Sequence, residues 1–302
     1  MLGASLVLLV FLLAGAAVQR AGAPARLRDA VWVAFFWTFS PILVFVTFLT
    51  VHLDKGLGRA LAAAILASWL VGLAGYTYAR LVAPERDERG ALTLAAGFAN
   101  TGFVGYPLAQ LAFGSSGLAL AVIYDRLAWL VPASSISTTI ARVHGRRTLE
   151  VSPRHRVRAL LANPPLHAFW LALALRAADV HVPGTTTARD LVGAAIGPYG
   201  FFLLGLSLTR ERAPQRPAEL RRAAGAIAIR FGGGPLALLG TGTLLGADVP
   251  GVFFLLAAMP SAFHVLILAR VYDLRPVLMN RIVVGTTIPA VALVVLVTGI
   301  VR

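Results

Sequence analysis

The stretch Asn100-Thr101-Gly102-Phe103-Val104-Gly105-Tyr106-Pro107 interrupts a long apolar segment of the chain. Proline removes a backbone donor and clashes with the preceding turn, and glycine loosens the backbone, so a regular helix is not expected here. In hydrocarbon, peptide groups released from a helix are tolerated only inside protein or beside a polar cavity. A second interruption, Met259-Pro260-Ser261, lies late in the chain. Two broken membrane helices are typical of a carrier whose binding site lies between the half-helices.

The composition is that of a polytopic helical membrane protein. Apolar residues make up 58% of the 302 positions, charged residues 13%, and the mean hydropathy is +0.79. An ordinary soluble domain is about 45–50% apolar and about 25% charged, so we predict one integral membrane domain over residues 1–302. The chain has no cysteine, which excludes disulfides and thiolate metal sites, and no metal or cofactor is predicted.

Ten apolar segments are each close to the ~20 residues that a helix needs to cross a bilayer. They cover about residues 2–19, 31–51, 60–79, 91–113, 117–141, 159–178, 189–209, 223–246, 250–269 and 278–300. The first segment lacks the basic region and the processing site of a signal peptide, so we expect it to be a retained helix. The sequence therefore predicts an all-α polytopic membrane protein with ten transmembrane helices.

The net charge of +14 is explained by topology. Twenty of the 27 basic residues fall in one set of alternate connections and five in the other, while Arg126 and Arg230 fall within spans. Because basic connections stay in the cytoplasm, this split predicts a multi-pass protein of the cell (plasma or inner) membrane with both termini outside. The lipid bilayer is therefore the expected partner of the basic residues, and no nucleic acid is expected.

Helix breakers recur at nearly constant spacing in the two halves of the chain. Three pairs of prolines are separated by 157, 153 and 157 residues, respectively: Pro41 and Pro198, Pro107 and Pro260, and Pro132 and Pro289. Five spans per half is an odd number, so a second copy must be inverted, as in many secondary transporters. Prolines are frequent in membrane helices in any case, so the spacing favours this 5+5 inverted repeat without proving it. The predicted units are repeat 1 (about 1–141), a cytoplasmic linker (about 142–158) and repeat 2 (about 159–302).

The two interruptions predict an anion site. Helix N-termini carry partial positive charge and unpaired N–H groups, which favour a carboxylate or another anion. We expect Asn100 and Thr101 to add side-chain hydrogen bonds at the first break and Ser261 to do so at the second. The alternative is that Asn100 only satisfies backbone groups freed by Pro107, and the two roles are compatible.

Four ionisable residues are candidates for a proton-coupling or charge network. Asp125 and Arg126 form the acidic–basic pair that we place inside a span, where charges are costly and usually functional. Successive helix positions do not face each other, so Asp125 is equally free to pair with Arg230 or His264. The alternatives are an ion pair that only fixes helix register and a pair that lies nearer the membrane interface. His264 is either a proton carrier or a packing residue, and Arg230 binds substrate, pairs with Asp125 or snorkels.

Enzyme motifs are missing from the sequence. It contains no Gly-x-Ser-x-Gly, no His-Glu-x-x-His and no Walker lysine, so no enzyme is predicted. With Asp125 as the one carboxylate placed mid-span, a sodium site would depend on carbonyls and amides, and coupling to protons is favoured over coupling to sodium.

Several stretches match a known family in residue type and order: Asn100–Leu108, Phe113-Gly114, Val122–Asp125, Asn163-Pro164-Pro165, Pro183, Gly205–Leu208, Arg230 with Pro235, Met259–Ala262 and Ala269–Tyr272. Together they resemble the auxin efflux carrier (AEC) family, PIN-like transporters of the bile acid/arsenite/riboflavin transporter superfamily. The resemblance covers nearly the whole chain. Its specific parts are the first interruption and the Asn-Pro-Pro motif.

The resemblance implies a PIN-like fold in which helices 1, 2, 6 and 7 form a scaffold, helices 3–5 and 8–10 form a mobile core, and helices 4 and 9 cross at prolines. It also implies transport of small organic anions by an elevator-type mechanism in a homodimer, for which the small-residue stretch Gly193–Gly197 is a candidate interface. Carried over by position, the substrate-binding residues are Asn100, Thr101, Gly102, Gly105, Tyr106, Pro107, Pro260 and Ser261, facing Ser40. Relatives often carry asparagine where this chain has Ala128, and Arg126 is unusual at its position.

We therefore expect a carrier of small carboxylates, auxin-like or dicarboxylate, that is either facilitative or coupled to protons. Three alternatives stay open on the sequence: a sodium-coupled symporter of the bile-acid type, an intramembrane enzyme, and a receptor without flux.

Overall fold

The computed structural model describes residues 2–51, 55–129, 136–147, 162–207 and 216–300, and these residues are helical apart from loops and one isolated β-bridge. The helices are α1 Leu2–Arg20, α2 Ala25–Ala34, α3 Ser40–Thr50, α4 Lys55–Val82, α5 Arg86–Gly97, α6 Tyr106–Tyr124, α7 Ser137–His144, α8 Pro164–Ala177, α9 Thr185–Ser207, α10 Pro217–Ala228, α11 Gly234–Leu244, α12 Gly251–Ala257, α13 Phe263–Tyr272 and α14 Pro276–Ile300. Four π-helical turns are described over their full length: Phe35–Phe39, Thr101–Gly105, Asp125–Trp129 and Ile229–Gly233.

The apolar helices agree with a multi-pass membrane protein. Within the described ranges, five helical stretches are long and apolar enough to cross a bilayer: Arg26–Thr50, Gly56–Val82, Thr101–Ala128, Thr185–Ser207 and Pro217–Leu244. Gly114, with φ 68° and ψ −162°, divides the third of these into two helices. The all-helical, polytopic architecture is thus confirmed for this part of the chain. The count of ten spans stays a prediction, since parts of spans 5, 6 and 7 and most of the linker 142–158 lie outside the described residues.

Two non-helical segments pair with each other through their backbones. The first, Phe98–Asn100, follows α5, and the second, residues 258–262, separates α12 from α13. Ala99 and Ser261 form an antiparallel bridge, in which the Asn100 amide donates to the Pro260 carbonyl at 2.8 Å and the Ala262 amide donates to the Phe98 carbonyl at 2.8 Å. Each segment thereby satisfies peptide groups that its own helix has released, as burial in a membrane requires. We call this paired region the crossing.

The prolines bear on the two interruptions differently. Pro260 lies inside the second non-helical segment, where a missing amide costs no helical hydrogen bond. Pro107 lies in α6, seven residues after Asn100, and the π-helical turn Thr101–Gly105 comes directly before it. The expectation that both helices break at prolines is therefore wrong for the first interruption, because the break precedes Pro107. The wider π-helical turn Thr101–Gly105 tolerates the missing backbone N–H of Pro107.

Glycines allow close approach of helices within the chain. A Cβ at Gly15 would overlap the carbonyl oxygen of Phe202, and one at Gly205 would overlap that of Leu12, so α1 and α9 are in backbone contact. In the stretch Gly193–Gly197, the first glycine packs near Gln110 and Leu118 and the last against Leu8. These glycines are used inside the chain and give no argument for the homodimer, which stays a prediction.

An ion-pair cluster joins helix ends on the side that carries most of the arginines. Arg275, in the turn between α13 and α14, adopts the left-handed backbone region at φ 47°. Its guanidinium contacts Asp87 at 2.7 Å, Glu219 at 2.9 Å and also Glu85. Asp87 and Glu219 are almost fully buried, and Asp87 also contacts Arg146 at 2.8 Å. Removal of the Arg275 cation would therefore take from Glu219 the charged partner described for it and leave Asp87 with one cation instead of two. This cluster was not predicted from the sequence, although Asp87 and Glu219 lie in the first turns of α5 and α10.

We expect Arg275→Gln to lower the free energy of unfolding by about 3 kcal/mol, because Glu219 loses the charged partner described for it and Asp87 keeps only Arg146. Thermal melting of the purified protein, followed by tryptophan fluorescence, checks this. Arg221→Gln, which removes an exposed arginine from α10, serves as the control and should melt like the wild type. Equal melting temperatures for both variants would contradict a structural role of the cluster.

Candidate functional site

A cavity of about 310 Å³ lies beside the crossing. Eight of the residues predicted for the site line its wall: Ser40, Asn100, Thr101, Gly102, Tyr106, Asp125, Arg126 and His264. The wall is completed by Asn163 at the start of α8 and by phenylalanines from three different segments. Residues distant in sequence therefore converge on one polar and aromatic cavity.

Five other predicted residues lie in or near the crossing and are not among those that line the cavity: Gly105, Pro107, Pro260, Ser261 and Arg230. The Ser261 hydroxyl donates to the carbonyl oxygen of Ala95 at 2.8 Å and is fully buried. A Cβ at Gly105 would come within 2.6 Å of the Leu256 side chain. Ser261 and Gly105 therefore hold the half-helices together.

Asn100 has the capping role considered for it, and its role in binding a substrate stays a prediction. Its Oδ1 accepts the backbone amide of Phe103 at 3.1 Å and so caps the turn Thr101–Gly105. Its Nδ2 is buried and has no hydrogen-bond partner within the described part of the chain. An unpaired buried amide costs free energy, and it is satisfied when a ligand brings an acceptor to the cavity.

Asp125 and Arg126 pair with each other although they are consecutive. The guanidinium lies 2.9 Å from the Asp125 carboxylate, which also accepts the hydroxyl of Tyr106 at 2.6 Å and that of Thr101. The expected alternative partners Arg230 and His264 make no ion pair with Asp125 among the described contacts. Arg126 Nε is buried and has no partner in the ranges described. The pair sits in a π-helical turn, where the spacing of an ordinary helix does not apply.

The cavity lies at the N-terminal ends of the two half-helices. Thr101, Gly102 and Phe103 begin the helix that follows the first break, and Phe263 and His264 begin α13. The first-turn amides of a helix lack intrahelical partners, and the helix dipole adds partial positive charge. With the side-chain donors of Asn100 and Arg126, this wall favours an anion.

Arg230 contacts the C-terminal ends of the other two half-helices, α5 and α12, which precede the two breaks. Its guanidinium is 2% exposed and donates to the carbonyls of Ala96 and Gly97, which end α5, at 3.3 and 3.4 Å. It also donates to the carbonyl of Ala257, which ends α12, at 2.7 Å. Helix C-termini carry partial negative charge and orphan carbonyls, so this cation neutralises both ends at once. Of the roles considered for Arg230, neither pairing with Asp125 nor snorkelling describes these contacts.

An aromatic cluster forms the side of the cavity that belongs to α2 and the adjoining π-helical turn. Trp32 stacks on Phe263 at 5.4 Å between ring centroids and meets the edge of Phe103 at 4.9 Å. Phe35 contacts Phe103 at 5.1 Å. The rings thus join α2 to the first turns of both half-helices, and Phe35, Phe103 and Phe263 give the cavity an apolar part of its wall.

The four π-helical turns that are described in full all contribute to this region. Three of them line the cavity, with Phe35, Thr101 and Asp125, and the fourth carries Arg230. Such turns are rare and occur frequently at functional sites. Asn163 as a wall residue and the aromatic cluster were not predicted from the sequence. Asn163 has one signal, its position as N-cap before two prolines, whereas aromatic residues in an apolar helix carry none.

Comparison with known proteins agrees with a transporter. The profile of the family described as "Membrane transport protein" (Mem_trans) matches residues 32–298. A protein of Methanothermobacter thermautotrophicus described as an uncharacterized transporter is 29% identical over 229 residues, covering 74% of this chain and 72% of the relative. The match includes every residue of the cavity wall named above. The chain therefore belongs to the Membrane transport protein family, which is the auxin efflux carrier family that its sequence resembles.

Proposed function

We propose that this protein carries small organic anions, in particular carboxylates of the auxin-like or dicarboxylate kind, across the cell membrane. The observation that carries the proposal is the set of unpaired buried donors, Asn100 Nδ2 and Arg126 Nε, on a cavity that lies at two helix N-termini. A carboxylate offers acceptors to both donors and favourable charge to both helix ends. The aromatic wall accommodates the apolar part of the solute.

The proposed architecture is ten helices in a 5+5 inverted repeat. What supports it is that each half of the chain contains one buried non-helical break, at residues 98–100 and 258–262, and that the two breaks pair with each other. Their pairing sets Ala99 against Ser261, an offset of 162 residues. The offset differs from the 153 residues between Pro107 and Pro260, so these two prolines do not occupy matching positions in the proposed repeat.

The proposed mechanism is elevator-type alternating access, in which the predicted membrane spans 3–5 and 8–10 move against spans 1, 2, 6 and 7. These numbers refer to the ten predicted spans and not to the helices α1–α14. The contacts at the cavity agree with that division. The aromatic cluster of α2 faces the crossing, and Gly200 of α9 lies where a Cβ would be 3.2 Å from both the Phe103 carbonyl and Pro107. Glycine at this position lets the backbone of α9 approach the crossing closely, without a side chain that would obstruct the proposed movement. A homodimer with outward termini completes the proposal.

Proton coupling is the form of transport that we favour over sodium coupling. In carriers with broken helices, unwound carbonyls and half-helix C-termini coordinate the sodium ion. Here the carbonyls of Gly97 and Ala257 accept hydrogen bonds from Arg230, which supplies a positive charge at that position. We therefore expect uptake into proteoliposomes to be unchanged when sodium is replaced by choline, and a requirement for sodium would instead favour the bile-acid-type symporter.

Asn100→Ala is expected to reduce carboxylate flux about tenfold or more, because one hydrogen bond to a charged group is worth about 1.5–3 kcal/mol. The measurement is counterflow of radiolabelled acetate, succinate, benzoate and phenylacetate in proteoliposomes that contain the purified protein. Gln19→Ala, which removes a side-chain amide from α1 outside the cavity, is the matched control. Absence of flux for all four acids in wild type, or equal flux in Asn100→Ala, would overturn the proposed function or its site, respectively.

A further inference from the structure

The carboxylate of Asp125 lies on the wall of the cavity that we propose for anions. A fixed negative charge repels an anionic solute and also occupies the nearby cation, so it weakens binding at such a site. Among the described residues that line the cavity, Asp125 is the only acidic one. A role in fixing helix register does not explain why the pair lies on the cavity wall.

The contacts of Asp125 are of two chemical kinds. Thr101 and Tyr106 donate through hydroxyls, both from residues that are 2% exposed, and Arg126 donates through its guanidinium. A guanidinium only donates and demands a carboxylate, whereas a hydroxyl both donates and accepts. With Arg126 bound, the two side chains form an ion pair. With Arg126 engaged elsewhere, the two hydroxyls can serve either the carboxylate or the carboxylic acid.

We propose that Asp125 competes with the solute for Arg126. A solute carboxylate displaces the Asp125 carboxylate from the guanidinium, and Asp125 then takes up one proton. The solute forms the ion pair with the guanidinium, and the Asp125 carboxylate takes one proton from water to become a neutral acid. One negative charge enters the cavity as the solute, and one is removed by protonation. The inference rests on the proposed function and adds the residue through which proton and anion binding are linked.

Other titratable groups lie on the cavity or on the elements packed against Asp125. Tyr106 already donates to it, and His264, at the start of α13, lines the same cavity. Helix α4 packs against the turn Asp125–Trp129, and its titratable residues lie toward its two ends: Lys55, Arg59, Tyr76, Tyr78 and Arg80. His264 is therefore the alternative acceptor that an experiment must separate from Asp125.

The test is titration calorimetry of the purified full-length protein with benzoate, at about pH 5.5 and about pH 7.5, in buffers of different ionisation enthalpy. For wild type we expect uptake of about one proton per benzoate at the higher pH and binding at least tenfold weaker than at the lower pH. Asp125→Asn cannot hold the guanidinium by charge, so it should bind benzoate at least tenfold more tightly than wild type at pH 7.5, without proton uptake. Asp190→Asn, an exposed aspartate of α9, is the control and should behave like wild type.

Each result decides between the claims. Benzoate binding by wild type without proton uptake would overturn the inference but leave the proposed function standing, and the wild-type count decides this even if Asp125→Asn does not fold. Proton uptake that persists in Asp125→Asn and disappears in His264→Gln would assign the linkage to histidine and also overturn it. No benzoate binding by wild type or by folded Asp125→Asn would count against the anion site itself.

Discussion

Arg230→Met is expected to lower the free energy of unfolding by about 3–5 kcal/mol, which for many membrane proteins abolishes recovery of folded material. Methionine replaces the aliphatic stem of the side chain but is shorter than arginine and offers no donor. The carbonyls of Gly97 and Ala257 would then end two buried half-helices without a partner. Because the same carbonyls lie next to the crossing, carboxylate flux should fall together with stability.

Size-exclusion chromatography and thermal melting in detergent measure this effect. Arg221→Met, which changes an exposed arginine of α10 just before the turn that carries Arg230, is the matched control and should elute and melt like wild type. Arg230→Lys should be intermediate, since an ammonium keeps the charge but does not reproduce the span of a guanidinium across both helix ends. Melting of Arg230→Met within about a degree of wild type would show that the guanidinium does not hold the crossing.

Gly205→Leu is expected to separate α1 from α9 and to cost about 3 kcal/mol or more. Any Cβ at position 205 overlaps the Leu12 carbonyl and comes within 2.8 Å of the Ala16 amide. Backbone atoms cannot move aside as a flexible side chain does, so the whole helix must shift. Since both helices belong to the proposed scaffold, the change should also slow transport.

Thermal melting again provides the measurement, with Gly240→Leu as the control. Gly240 is an exposed glycine within α11, and a Cβ there meets no atom within 4 Å, so leucine should be neutral or slightly stabilising through helix propensity. Gly15→Leu should resemble Gly205→Leu, and the double variant should cost less than the sum of the two, because the first change already opens the contact. Additive costs would show that the two glycines do not share one interface.

The sequence predicted the general region of the site because membrane burial restricts polar groups. Asn100, Asp125 and Arg126 stand out in apolar segments, and each of them lies on the cavity. The two interruptions could be located from Pro107 and Pro260 to within a few residues. The first break nevertheless lies ahead of its proline, because the backbone of residues 98–100 is held by pairing with residues 260–262, a long-range interaction that local propensity does not encode.

Other features could not be predicted because they depend on π-helical turns and on distant partners. The rule that successive residues do not face each other assumes an ordinary helix, whereas Asp125 and Arg126 pair inside a π-helical turn. The part played by Arg230 requires knowing that the ends of α5 and α12 meet beside it. No periodicity in a single apolar helix carries that information.

The cation at the ends of α5 and α12 is part of the chain and cannot dissociate. A bound metal ion removes its charge from the carrier when it is released, whereas in the proposed elevator movement the charge of Arg230 would travel with the moving helices throughout the cycle. A membrane potential then acts on the protein itself, with about 2.3 kcal/mol per 100 mV for full passage of one charge. An interior-negative cell would thus pull the unloaded core toward the cytoplasm, so voltage becomes a driving force for resetting the carrier.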